Sequence, residues 1–239
     1  MNSHEQNVAN AFNKAATTYN QHDDLQTAVG CHLIQQLITI RHDFSDVIDA
    51  GCGTGFITTK LANTITFSSL TALDIADALL QNTRHLPEHI IRRHDSYDHI
   101  GINNDKYDLI FSNLGLHWSR DLPATLHILH NALNAAGLLV FSTPLSGTLS
   151  ELEPHFSNHQ FMTQLGMECL LTTHGFHIQH ISNKSYCYHF NDTLSALRSM
   201  KLTGTNYVAN RHHHLLRGKS SLPAIHHLSY QIGFFVVRK

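Results

Sequence analysis

Charge is scarce in this chain, and charge of one sign is scarcer. Asp, Glu, Lys and Arg make up 14% of its 239 residues, with 16 Lys plus Arg against 18 Asp plus Glu. A general nucleic-acid binder neutralises many phosphates and needs a basic excess, so a net charge of -2 excludes that class. No apolar run approaches the ~20 residues that span a bilayer. The longest, "GLLVF" and "IGFFVV", have the length of buried strands, so no membrane partner is expected. The N-terminus has no basic start followed by an apolar stretch, and a secretory signal is therefore not expected. Cysteine is sparse too: Cys31, Cys52, Cys169 and Cys187 are widely spaced and make no C-x-x-C. Reduced thiols in a cytoplasmic protein are the simplest expectation.

Histidine alone is in excess, with 22 residues scattered along the chain and one run at His212, His213 and His214. Scattered positions give no ligand spacing, so no metal is expected. So many groups titrating near pH ~6.5 predict that the net charge turns positive on mild acidification.

From Ser45 onward apolar runs and helical patterns alternate. Strands are predicted at "DVIDA" (46–50), "SLTALDI" (69–75), "HIIRRHD" (89–95), "KYDLIFSNL" (106–114) and "GLLVFST" (137–143). Helices are predicted at "FITTKLANTI" (56–65), "ADALLQNTRHL" (76–86) and "LPATLHILHNALN" (122–134), the last with Pro123 in its first turn. Strands separated by such helices pair in parallel through right-handed crossovers, giving a doubly wound α/β sheet. Further on, "FMTQLGMECLLTTHGF" reads as a helix ended at Gly175, "SYCYHF" as a sixth strand and "SYQIGFFVVRK" as a seventh. A basic helical stretch is expected from Thr193 to about Leu228. There is no internal repeat and no low-complexity linker. One domain over 1–239 is expected, with an N-terminal helical lid (1–40), a core (41–191), a helical cap insertion (192–228) and the last strand (229–239).

The stretch "DAGCGTG", Asp49 to Gly55, lies where the first strand turns into a helix. Glycines there allow a tight turn and close approach of a ligand to the main chain. A dinucleotide oxidoreductase would have G-x-G-x-x-G, but here Gly51, Gly53 and Gly55 alternate and position 56 is Phe. An acid, Asp49, precedes them. A carboxylate at that point repels a pyrophosphate and attracts an ammonium group. The pattern suits a cofactor with an amino acid end and no phosphate, S-adenosylmethionine. Asp74, ending the second strand, can accept from both ribose hydroxyls, and Asp95, ending the third, from the adenine amino group.

This arrangement resembles the class I methyltransferases, whose Rossmann-like sheet has seven strands with the last antiparallel. The resemblance implies cofactor contacts from Gln26, Asp49, Gly51, Cys52, Gly53, Gly55, Asp74, Ile75, Asp95, Ser96, Asn113 and Leu114. It also implies that "SNLGLHW", Ser112 to Trp118, lines the transfer pocket.

Four blocks narrow the resemblance. "FNKAATTYNQHDDLQ" (12–26), "SNLGLHWSRDLPATL" (112–126), "FSTPLSGTLSEL" (141–152) and "LSALRSMKLTGTN" (194–206) are similar, in order, to the malonyl-[acyl-carrier protein] O-methyltransferases that begin pimelate assembly for biotin. The family's pocket glutamine is His117 here, its proline before the fifth strand is absent, and its late Lys-Gly is Lys201-Leu202. The resemblance implies methyl transfer to the free carboxylate of a malonyl thioester on an acyl carrier protein. Phe12, Ala15, Ala16 and Tyr19 fall at helical spacing on one face, which predicts a helical lid that puts Tyr19, the candidate catalytic residue, over the reacting atoms. Substrate contacts are expected from Tyr19, His117, Trp118, Arg198 and Lys201. A basic stripe of Arg198, Lys201, Arg211, Arg217 and Lys219 is expected to dock the acidic carrier. A methyltransferase acting on a free small molecule such as a quinone precursor, and a non-catalytic cofactor-binding regulator, are the alternatives.

Overall fold

Side-chain alternation along the strands decides how this chain layers. The structure, a computed structural model, describes residues 2–83, 86–101, 105–152, 161–203, 205 and 224–239. Its strands are β1 (Asp46–Ala50), β2 (Ser69–Asp74), β3 (Ile91–His94), β4 (Tyr107–Asn113), β5 (Leu133–Pro144), β6 (His177–His189) and β7 (His227–Arg238). They form one seven-stranded sheet in the order β3-β2-β1-β4-β5-β7-β6. The first five pair in parallel, and β7 runs antiparallel to β5 and β6. The helices are α1 (Ser3–Ala15), α2 (Asp24–Ile38), α3 (Phe56–Ala62), α4 (Asp77–Gln81), α5 (Leu122–Ala132), α6 (Gln164–Thr173) and α7 (Thr193–Leu202).

Val47, Leu109, Phe111, Val140 and Phe234 pack on one face with Val29, Leu33 and Leu37 of α2. Their strand neighbours Ile48, Ile110, Leu139, Phe141 and Phe235 pack on the other with Leu126 of α5 and Leu171 of α6. Each such side chain contributes ~1.5–3 kcal/mol on burial. A sheet covered on both faces explains why its central strands read as continuous apolar runs. The strand order reverses between β1 and β4, and at such a switch point the carboxyl ends of the strands leave a crevice for a ligand.

Several expectations need correction. α2 is not part of a lid: Val29, Leu33 and Leu37 have no exposure and belong to the core. Nor do Phe12 and Tyr19 share a helix. α1 ends at Ala15, Thr18 turns the chain by donating from its hydroxyl to the carbonyls of Ala15 and Leu202, and Tyr19 opens a separate 3-10 turn. Phe12, Ala16 and Tyr19 still meet, packed with Ala76 and Leu79. α4 stops at Gln81, where the chain tightens as Asn82 N and Thr83 N donate three residues back to the carbonyls of Leu79 and Leu80, and the later carbonyls of Thr83 and Leu86 accept from the Arg92 guanidinium. β6 begins at His177, eight residues before the expected "SYCYHF" (185 − 177). It is an edge strand, and its first half is wet on both sides, which removes the apolar alternation that marks a strand. The cap helix α7 ends at Leu202, and residues 224–226 lead directly into β7. Arg211, Arg217, Lys219 and the run His212–His214 lie outside the described residues.

Candidate active site

The turn after β1 is built from backbone conformations that side chains resist. Gly51, Gly53 and Gly55 all have positive φ (86°, 58° and 78°), the region that favours glycine. The main-chain N–H groups of Gly51 and Cys52 donate to the Leu73 carbonyl at the end of β2. Asp74 then locks the turn from below: Oδ2 accepts from Gly53 N (2.8 Å) and Oδ1 from Ala76 N (2.7 Å). Burial raises the Asp74 carboxyl above its ordinary range, with those two N–H groups opposing the shift. Each oxygen keeps a second lone pair for a ligand hydroxyl.

Asp49 is 1% exposed. Its Oδ2 accepts the Thr58 hydroxyl at 2.6 Å, while Oδ1 is buried with no partner. Burial pushes this carboxyl up to about 7, against the Thr58 bond and with nearby Asp74 adding to the rise. Gln26, whose Oε1 is a second buried orphan acceptor, lines the same small cavity of ≈ 30 Å³ as Asp49, Gly51, Cys52 and Thr54. Two buried oxygens without donors are costly in an apolar setting, and a group with several N–H donors and a positive charge would satisfy both. The amino end of S-adenosylmethionine is such a group. A pyrophosphate offers only acceptors and negative charge, so the residues present fit the first and not the second.

This small chamber opens beside a larger cavity of ≈ 250 Å³. Tyr19, Gln26, Gly51 and Asn113 line both. Tyr19 stands over the glycine turn, with its hydroxyl 3.7 Å from where a Cβ on Gly53 would be. Burial, with Asp74 close by, pushes its phenol up, so at neutral pH it is an O–H donor and not a base. The turn after β4 forms the floor. Gly115 has no room for a side chain, since a Cβ there would lie 2.6 Å from Ser112 Oγ and 3.0 Å from the Ala50 carbonyl. Leu114 before it holds φ 51°, a left-handed conformation that costs a leucine roughly 1 kcal/mol or more.

α1 covers the cavity. His4, Glu5, Val8 and Phe12 line it from above. The helix is started by Asn2 and Glu5, which cap each other's N–H groups. It is tied down by His4 to the Trp118 carbonyl (2.8 Å) and by Asn13 Oδ1, which accepts from Ala78 N (3.0 Å). The Phe12 ring meets Trp118 edge-on at 5.5 Å.

Most predicted site residues come together here. Ile75, Ser96, Leu114, His117 and Trp118 line the large cavity with those already named, and Cys52 lines the small one. Four do not. Gly55 lines neither chamber and serves as the left-handed start of α3. The Asp95 carboxylate is drawn away by Arg93 (2.9 Å) and His99 (2.7 Å), which hold it below its usual range. The acid that lines the cavity at this point is Asp98, brought round by a 3-10 turn at Tyr97–His99. Arg198 and Lys201 are exposed on the outer side of α7, while Ser199, Met200 and Thr203 line the cavity. Tyr188 and Phe190 were not anticipated; their i, i+2 spacing in "SYCYHF" is the strand signal that places both on the cavity side. Among the described residues no group of three or more His, Cys, Asp or Glu could hold a metal ion.

A family model described as a methyltransferase domain matches residues 21–201. The chain is 32% identical, over all of its length and 98% of the relative's, to a malonyl-[acyl-carrier protein] O-methyltransferase 2 of Coxiella burnetii. It is 27% identical to the malonyl-[acyl-carrier protein] O-methyltransferase of a Methylovorus species, over 91% of this chain and 79% of the relative. The crystal structure of an S-adenosylmethionine dependent methyltransferase from Mesorhizobium loti shares the fold at TM-score 0.56 and 18% identity, covering 86% of this chain and 95% of that one. With the glycine turn, the buried acid and the sheet order already in place, the chain belongs to the malonyl-[acyl-carrier protein] O-methyltransferase family of methyltransferase-domain proteins.

Proposed function

We propose that this protein methylates the free carboxylate of a malonyl thioester carried on an acyl carrier protein, the step that opens pimelate assembly for biotin. The observation that carries the reading is full-length similarity to relatives of that name, over a site whose orphan acceptors suit the cofactor's amino end. When bound, S-adenosylmethionine supplies an electrophilic methyl group. Asp49 Oδ1 and Gln26 Oε1 would hold its amino end and Asp74 its ribose, with Asp98 at the adenine end.

The acceptor carboxylate is ionised at neutral pH and needs no general base. One of its oxygens bonds to the methyl carbon as the carbon–sulfur bond breaks, leaving a methyl ester and S-adenosylhomocysteine. The protein's part is alignment and a dry site, which together supply up to ~7–11 kcal/mol. The neutral Tyr19 hydroxyl orients the carboxylate without removing its charge, as a salt bridge would. Ring walls from Tyr188, Phe190, Tyr230 and Trp118 exclude water around the thioester arm. Arg198 and Lys201, exposed on α7, would attract an acidic carrier.

The test is transfer of labelled methyl to three acceptors: malonyl carrier protein, a malonyl thioester without the protein, and a free quinone precursor. Label on the carrier at the highest kcat/KM is expected, and label on the quinone precursor alone would overturn the reading. Tyr19→Phe should slow transfer by about tenfold while cofactor affinity changes by less than about threefold. Equal losses in both would make Tyr19 a cofactor contact.

A further inference from the structure

One buried hydroxyl reaches the turn that divides the two chambers, and it has no part in the chemistry described so far. Ser142, on β5, has no exposure and lines neither cavity. Its Oγ donates to Asn113 Oδ1 (2.9 Å) and accepts the main-chain N–H of Leu114 (2.9 Å). Asn113 Nδ2 in turn donates to the main-chain carbonyl of Gln26 (2.8 Å).

The chemistry of these groups permits one arrangement. A hydroxyl has a single proton, so donating it to Asn113 leaves its lone pairs for the Leu114 N–H. The Asn113 amide is then fixed in orientation, because its other end faces a carbonyl and must donate. Leu114 is left-handed, a conformation its side chain disfavours, and the bond to Ser142 is what engages its N–H. Gln26 stands in the first turn of α2, lines both chambers and carries a buried, unpartnered side-chain oxygen. The relay therefore ties β5 to the turn after β4 and the start of α2, where Asn113 and Gln26 line both chambers.

We propose that Ser142 is a positioning residue for methyl transfer. Acting through Asn113 and Leu114, it sets the turn between donor and acceptor and the placement of Gln26, while touching neither ligand. This rests on membership of the methyltransferase family and not on which acceptor is used.

The test compares wild type, Ser142→Ala, Ser142→Thr, Leu114→Gly and the Ser142→Ala/Leu114→Gly pair. It reads melting temperature, S-adenosylhomocysteine affinity by calorimetry, and kcat and KM with an acceptor that the wild type methylates. Ser142→Ala should stay folded and lose about 30-fold in kcat, with acceptor KM changed by less than about threefold and cofactor-product affinity lowered by about threefold to tenfold. Ser142→Thr keeps the hydroxyl and should recover kcat to within about threefold of wild type. Glycine holds a left-handed turn unaided, so in the Leu114→Gly background Ser142→Ala should cost only about threefold. Wild-type kcat and affinity in Ser142→Ala would overturn the proposal. So would an undiminished Ser142→Ala penalty on top of Leu114→Gly, or a folded Ser142→Thr as slow as Ser142→Ala. If wild type methylated something other than a malonyl thioester, the proposed acceptor would fall and these comparisons would stand.

Discussion

At the β1–β2 end of the cavity, polar atoms are fixed by the main chain. Asp74 grips two backbone N–H groups, three glycines adopt one steep turn, and Asp49 is locked to Thr58 with its other oxygen buried and unpartnered. At the α7–β7 end the wall is made of rings and short side chains from distant parts of the chain. Tyr188 meets Tyr230 edge-on at 6.2 Å, and α7 packs through Ala196 in a small cluster with Leu149, Leu152, Ile225 and Leu228. Hydrogen bonds are directional and fail when displaced, whereas apolar packing is non-directional and adapts. One end is thus built to accept a single ligand, and the other to be reshaped for different acceptors.

The strongest way to break this contrast is at Asp74. Asp74→Ala removes the acceptor of both Gly53 and Ala76 and should weaken S-adenosylhomocysteine by ~100-fold or more, since each charge-assisted bond contributes ~1.5–3 kcal/mol. Met200→Ala at the other end should change that affinity by less than about twofold. Calorimetry on the two variants checks it, and similar losses would erase the distinction. A smaller effect is expected on the docking face. Arg198→Glu with Lys201→Glu should raise the carrier protein's KM by about tenfold at low salt and leave a small thioester's KM unchanged. Unchanged carrier kinetics would remove α7 from the docking surface.

A slope with pH is also expected. Asp49 has a folded pKa of about 7 against an ordinary 3.8, so between those values the folded chain holds more protons than the unfolded one. Without cofactor its contribution to stability is therefore lost as pH rises through that window, by at most about 4 kcal/mol. Melting temperature should fall on this account from about pH 5 to pH 7.5, and Asp49→Asn should flatten the slope. A slope unchanged in that variant would assign it to other groups.

The same contrast explains what was legible in the sequence. Parallel strands buried on both faces show as apolar runs, so β1, β2, β4 and β5 stand out, and the glycine turn between β1 and α3 is a local motif. Edge strand β6 is wet along its first half and carries no such pattern. Where a side chain points at a strand end depends on its neighbours: Asp95 was the expected acid, but Arg93 and His99 claim it, and Asp98 takes the cavity position. Likewise the charges of α7 are visible in the sequence, but only the helix's packing shows that Ser199 and Met200, and not Arg198 and Lys201, face inward.

Asp49, the proposed ammonium site, is the most direct place to test cofactor recognition. Calorimetric titration of wild type and Asp49→Asn with S-adenosylhomocysteine and with 5′-methylthioadenosine, which lacks the amino acid end, isolates that contact. Asp49→Asn should weaken S-adenosylhomocysteine by at least about tenfold and leave 5′-methylthioadenosine unchanged. Equal weakening of both, or of neither, would contradict it.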